Sequence, residues 1–104
     1  MYKLVVYIPE KSIEKVKKAL FEAGAGELGR YDCCSWQTMG QGQFRALEGS
    51  QPNIGSIGEL EKVAEWRLET LVKEAVANDV KQALLDSHPY EEPAFEFLTC
   101  LNID

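Results

Sequence analysis

Lys62-Val63-Ala64-Glu65-Trp66-Arg67-Leu68-Glu69-Thr70-Leu71-Val72 decides the fold. Ala64, Trp66, Leu68, Thr70 and Val72 alternate with Val63, Glu65, Arg67, Glu69 and Leu71. An extended chain with this order turns out one apolar face and one largely charged face. That is the pattern of an antiparallel strand packed on one side and wet on the other. Beyond Val72 the period changes. From Glu74 to Ser87 the apolar residues Val76, Val80, Ala83 and Leu84 follow helical spacing, and Pro89 cannot continue the helix. Ala94 to Leu101 reads as a closing strand.

The N-terminal half has the same plan. Tyr2 to Ile8 reads as a strand, with Leu4, Val6 and Ile8 on one face, and Pro9 stops it. Ser12 is a candidate N-cap, and Ile13, Val16, Leu20 and Ala23 form a helical stripe that Gly24 ends. A second strand is predicted from Arg30 to Thr38. Gly40-Gln41-Gly42 is read as a turn and Gln43 to Leu47 as the return strand of a hairpin. Glu48 to Glu61, rich in Gly, Pro, Asn and Ser, is an organised loop. The predicted fold is a ferredoxin-like α+β sandwich, an antiparallel sheet with two helices on one face and an extra β-hairpin. The hairpin is expected to extend the sheet or project from it, as a surface for self-association.

A length of 104 residues fits one domain, 1–104, with one core. The formal charge of -6 argues against nucleic acid, whose binding is dominated by Lys and Arg on phosphates. Lys15, Lys17 and Lys18 lie on the helix face away from Ile13, Val16 and Leu20 and read as a solvated face. No apolar run approaches a membrane span, and Met1-Tyr2-Lys3 leads straight into a strand without a signal-peptide pattern. The 3 cysteines suggest no disulfide framework. Cys33 and Cys34 are read as small buried hydrophobes on a strand, and without a C-x-x-C pair a structural zinc site has no basis. A cytoplasmic location fits these thiols.

The segment His88-Pro89-Tyr90-Glu91-Glu92-Pro93 brings the only histidine beside two carboxylates and a phenol. One reading makes His88, Tyr90, Glu91 and Glu92 a ligand corner, for a divalent ion such as zinc or manganese or for acid–base work. The other makes it a helix-to-strand joint, with His88 bonding the last helix carbonyls and the glutamates on a solvated turn. The joint is favoured, because one histidine without a second His or Cys makes a poor metal site. Two prolines still stiffen a polar loop that could hold a ligand. Gly40, Gly42, Gly49, Gly55 and Gly58 are spaced for hairpin and turn geometry and lack the Gly-Lys-Ser/Thr of a phosphate loop. No nucleophile elbow accompanies them.

A set of short motifs recurs in order. It comprises Ala23-Gly24-Ala25-Gly26, Gly29-x-Tyr31-x-x-Cys34, Gly40-x-Gly42-x-Phe44-Arg45, Leu47-Glu48-Gly49, Pro52-x-Ile54-Gly55, Gly58-x-x-Glu61 and His88 through Ala94. Together they resemble the inserted domain of the YqfO proteins, the bacterial branch of the NGG-interacting-factor-three family. Ala46 stands where that pattern commonly has proline, and Gln51 where it has asparagine. In the full-length proteins the insert separates two halves of a dimetal-binding domain, and one histidine cannot supply that site. The resemblance therefore implies a stand-alone insert, similar in fold to the trimeric CutA and PII-like proteins, and not the dimetal chemistry or a cyclohydrolase activity. The expected function is a non-enzymatic small-molecule-binding or regulatory module, a homo-oligomer (trimer or dimer), with no catalytic residues and no cofactor. His88, Tyr90, Glu91 and Glu92 are its candidate ligand corner. Gly40, Gly42, Phe44, Pro52 and Gly55 are its candidate loop contacts. The alternatives are a CutA-like divalent-metal binder using the His88–Glu92 corner, and an accessory subunit of a separately encoded dimetal protein.

Overall fold

The computed structural model describes residues 1–101; of the span 1–104 expected as one domain, the last three positions lie outside the described residues. The elements run β1 (Tyr2–Pro9), α1 (Ile13–Glu22), β2 (Ser35–Arg45), β3 (Leu60–Val72), α2 (Ala77–Ser87) and β4 (Phe95–Thr99). Single 3-10 turns, Glu10–Ser12 and Glu74–Val76, lead into the two helices. Ser12 occupies the expected N-cap position, but its side chain makes no cap hydrogen bond.

The strands form one sheet in the order β2-β3-β1-β4, and every neighbouring pair is antiparallel. Strand alternation sorts its two faces. Leu4, Val6 and Ile8 of β1 and Leu68 and Val72 of β3 share one face and form a single core with Ile13, Val16, Leu20, Val80 and Leu84 from the helices. Burying each such Leu, Ile or Val contributes roughly 1.5–3 kcal/mol. The helices therefore cover one side only. The other face carries Tyr7, Glu65, Arg67 and Glu69, with Thr38, Gly40, Gly42 and Phe44 beside them on β2.

Two sequence expectations are corrected here. Gly40-Gln41-Gly42 is not a turn: β2 passes straight through it as an 11-residue strand paired with β3 from Ser35↔Thr70 to Arg45↔Leu60. The hairpin is β2–β3 itself, and its connection is the 46–59 loop. Only Glu65 to Val72 of β3 also pairs with β1, so the outer half of the ribbon projects beyond the core. The molecule accordingly measures 49 × 24 × 24 Å. The second correction concerns the segment before β2. Arg30 and Tyr31 belong to a tight loop closed by a Leu28↔Tyr31 bridge, and Cys33 has a positive φ of 53°. The cysteines are therefore not buried hydrophobes on a strand: Cys33 is exposed, and Cys34 and Cys100 are half-buried.

Candidate functional site

The open face of the sheet becomes a cavity where the ribbon leaves the core. Its floor is Thr38, Gly40, Gly42 and Phe44 of β2 with Glu65 and Arg67 of β3, and Tyr7 closes the inner end. One wall is the 46–54 part of the β2–β3 loop, with Pro52, Asn53 and Ile54; the other is the 90–94 segment after α2. The cleft is open on one side and its volume is about 760 Å³, within the range of small-molecule sites.

The loop wall is held at both ends. Ala46 pairs with Ile57 and its carbonyl accepts the Gly58 N–H at 2.8 Å, which closes the neck. Farther out, the Gln51 N–H donates to Glu91 Oε1 at 3.1 Å, so the two walls touch across 40 residues of sequence. Gly55 turns this loop with a φ of +83°, and a Cβ there would run into Glu61.

The opposite wall depends on His88. At β1 the last pair with β4 is Val6↔Phe95. The Tyr7 carbonyl lies one residue beyond it and accepts from His88 Nε2 at 2.7 Å. The Tyr90 N–H donates to His88 Nδ1 at 3.1 Å. A backbone N–H can only donate and a carbonyl can only accept, so this geometry fixes the neutral tautomer with its proton on Nε2. Burial pushes the imidazole below its ordinary pKa, outweighing the Tyr7 hydrogen bond and the Glu65 charge, which raise it. His88 thus bonds β1, and not the last helix carbonyls as the sequence reading had it; its backbone N–H alone caps the helix, on Leu84 O.

With both nitrogens occupied, His88 is neither a free general base nor a free metal ligand. Among the described residues no group of three or more His, Cys, Asp and Glu side chains is arranged to hold an ion. What His88 does is set Tyr90, whose ring lies 4.8 Å from its own, centroid to centroid. The Tyr90 hydroxyl donates to Glu65 Oε2 at 2.6 Å. Burial first, then this hydrogen bond and the Glu65 charge, push the phenol well above its ordinary pKa. Gly42 makes room for the pair, because a Cβ there would collide with the Glu65 carboxylate. Gly40, by contrast, opens onto empty space.

Of the residues singled out from sequence, Tyr90, Glu91, Glu92, Gly40, Gly42, Phe44 and Pro52 line the cavity. His88 lies behind Tyr90, and Gly55 shapes the loop without lining the space. Tyr7, Thr38, Glu65 and Arg67 were missed. Their signal was the polar alternation of β1 and β3, which reports a wet face but not what covers it. Arg67 is largely committed within that face, donating to Glu69 Oε2 at 3.2 Å and to the Tyr7 hydroxyl at 3.3 Å.

This architecture, four antiparallel strands under two helices with a projecting ribbon, is that of the CutA/PII-like α+β proteins. CutA1 from Pyrococcus horikoshii superposes with a TM-score of 0.71 over 100% of this chain and 87% of that one, at 18% identity. At that identity the likeness shows the fold alone. A Bacillus cereus protein related to NIF3 superposes with a TM-score of 0.83 at 38% identity, over 97% of this chain and 26% of that one. In sequence, the GTP cyclohydrolase 1 type 2 homologs of Mycobacterium tuberculosis and Bacillus subtilis are 48% and 47% identical, each over 90% of this chain and 25% of their own length. No protein-family model matches the sequence. The chain is a homologue of one segment of the GTP cyclohydrolase 1 type 2 homologs, the NGG-interacting-factor-three proteins, and spans about a quarter of the relatives it matches. Among the described residues no helix is long and apolar enough to cross a membrane.

Proposed function

We propose that the chain is a non-enzymatic, small-molecule-binding module whose ligand occupies the cavity between the glycine-floored ribbon and the Tyr90–Glu92 wall. One observation carries this reading. A strand without side chains at Gly40 and Gly42 and two sequence-distant loops joined by Gln51 and Glu91 border a cleft of about 760 Å³. The non-enzymatic part rests on the fully occupied His88 imidazole and on a Tyr90 phenol held in its protonated form. Free thiols at Cys33, Cys34 and Cys100 fit a reducing, cytoplasmic setting.

Gly40→Leu tests the site. Its Cβ would meet nothing within 4 Å, so the substitution starts a branched side chain into the open space above the floor. Fragments that shift the amide resonances of Gly40, Phe44 and Tyr90 in the wild type should leave the variant unchanged at an equal melting temperature. Shifts that persist in the variant would place the ligand elsewhere.

The module is also proposed to be a homo-oligomer. Among the described residues β2 leaves one edge unpaired along its 11 residues, with Trp36 60% and Met39 41% exposed, and a long open edge is a template for another chain. Sedimentation at micromolar concentration should give a dimer or trimer. A strictly monomeric species would remove this part.

A further inference from the structure

We infer that the cavity takes a small planar compound whose edge carries two adjacent N–H donors, as an aminopyrimidine or an amidine does. The inference rests on the small-molecule reading above and names the ligand's chemistry.

The requirement for a flat ligand comes from the floor. On the open face Gly40 stands opposite Glu65 and presents bare peptide, while Gly42, opposite Val63, lies under the Glu65 carboxylate. The space above Gly40 is empty to 4 Å. Phe44 and Tyr90 stand beside this strip with ring centroids 6.2 Å apart and planes inclined at 54°. Peptide planes below and aromatic rings beside favour a flat ring over a branched or globular body.

The requirement for N–H donors comes from Glu65. Its carboxylate lies over Gly42, and Tyr90 fixes it through Oε2 at 2.6 Å. No cation among the described residues pairs with it: Arg67, two residues along the strand, is engaged with Glu69 and Tyr7. A carboxylate offers about four acceptor sites, and one hydroxyl leaves most of them open. Two parallel N–H bonds to its oxygens match the geometry that carboxylates accept best. The cavity lining sets Glu65, Glu91 and Glu92 against Arg45 and Arg67. With Arg67 held by Glu69 and Tyr7, the balance on a chain of net charge -6 is acidic and favours a donor over an anion. Tyr90 serves here as a positioning residue, held by His88 from behind, that aims the carboxylate.

The experiment titrates isocytosine, pyrimidinone and benzoate into the 104-residue chain and follows the amide resonances of Gly40, Phe44 and Tyr90. Hydrogen bonds to a charged group predict that isocytosine, which carries the amino group, binds at least about tenfold more tightly than pyrimidinone, which lacks it. Glu65→Gln should shrink that ratio to about threefold or less, since the neutral amide accepts less strongly. Tyr90→Phe keeps the carboxylate and should keep part of the preference. Equal binding of the two heterocycles, a ratio untouched by Glu65→Gln, or a preference for benzoate would each overturn the inference. If other fragments bind in a Gly40→Leu-sensitive manner and these do not, the ligand class is wrong and the small-molecule site stands. If no compound shifts these resonances, both fall.

Discussion

Replacing His88 by alanine removes the piece that joins α2, β1 and the cavity wall, and the cost can be worked from its contacts. His88 is 6% exposed. It donates to the Tyr7 carbonyl at 2.7 Å and accepts from the Tyr90 N–H at 3.1 Å. Each hydrogen bond is worth about 1 kcal/mol net, and the Tyr7 carbonyl, left without a partner one residue past the β1–β4 ladder, adds about 1 kcal/mol more. The expected loss is about 3 kcal/mol. With a urea slope near 1.5 kcal/mol per molar, the unfolding midpoint should fall by about 2 M. The pH dependence supplies a second reading. Because the folded imidazole titrates below its ordinary value of 6.5, the unfolded chain binds the proton first. His88 therefore contributes stability above about pH 6.5 that is lost as the pH falls through the folded pKa. His88→Ala should flatten that slope. Urea melts at pH 7.5 and pH 5.5, with and without a chelator, measure all of this. A loss below about 1 kcal/mol, or a wild-type midpoint that drops on chelation, would refute the assignment of both nitrogens to the backbone.

Gly42→Ala should cost about 1–2 kcal/mol by displacing the Glu65 carboxylate from Tyr90, whereas Gly40→Ala, facing open space, should be neutral or stabilising by up to about 1 kcal/mol. Thermal melts of the two variants decide this. Tyr90 titrates higher in the fold than in the unfolded chain, so its contribution is complete below about pH 10 and disappears as the pH rises beyond it; Tyr90→Phe should reduce the loss of stability between pH 9 and pH 11. Leu68→Ala, at a fully buried position of β3, should cost about 2–5 kcal/mol in urea melts.

The β3 and α2 patterns were legible because burial on one face leaves a period in the sequence. Leu68 and Val72 set one and Val80 and Leu84 the other, and the ferredoxin-like order follows from their alternation. Gly40 and Gly42 were misread for a physical reason. Glycine between apolar runs ordinarily marks a turn, but here the missing side chain of Gly42 makes room for Glu65 and that of Gly40 leaves the cavity floor bare. Sequence spacing does not carry that distinction, since it depends on which residue β3 places opposite. The same holds for His88. Its neighbours in sequence suggested the helix end, while its decisive partner, the Tyr7 carbonyl, lies 81 residues away. The 90–92 corner and the Pro52 loop were each visible as rigid polar segments, yet their meeting through Gln51 and Glu91 was not.

The projecting ribbon has a mechanical consequence. Beyond Glu65 its two strands pair only with each other among the described strands, and the Gln51 to Glu91 bond is the tie from their far loop to the body. Amide hydrogens from Gln41 to Arg45 and Leu60 to Ala64 should therefore exchange sooner than those of Leu4, Val6 and Leu68. The cavity straddles that boundary, with Tyr90 and Glu91 on the braced body and Phe44 and Pro52 on the cantilever. Whatever spans it acts as a strut, and occupancy can be read as slowed exchange at the ribbon's free end, far from the core that sets global stability.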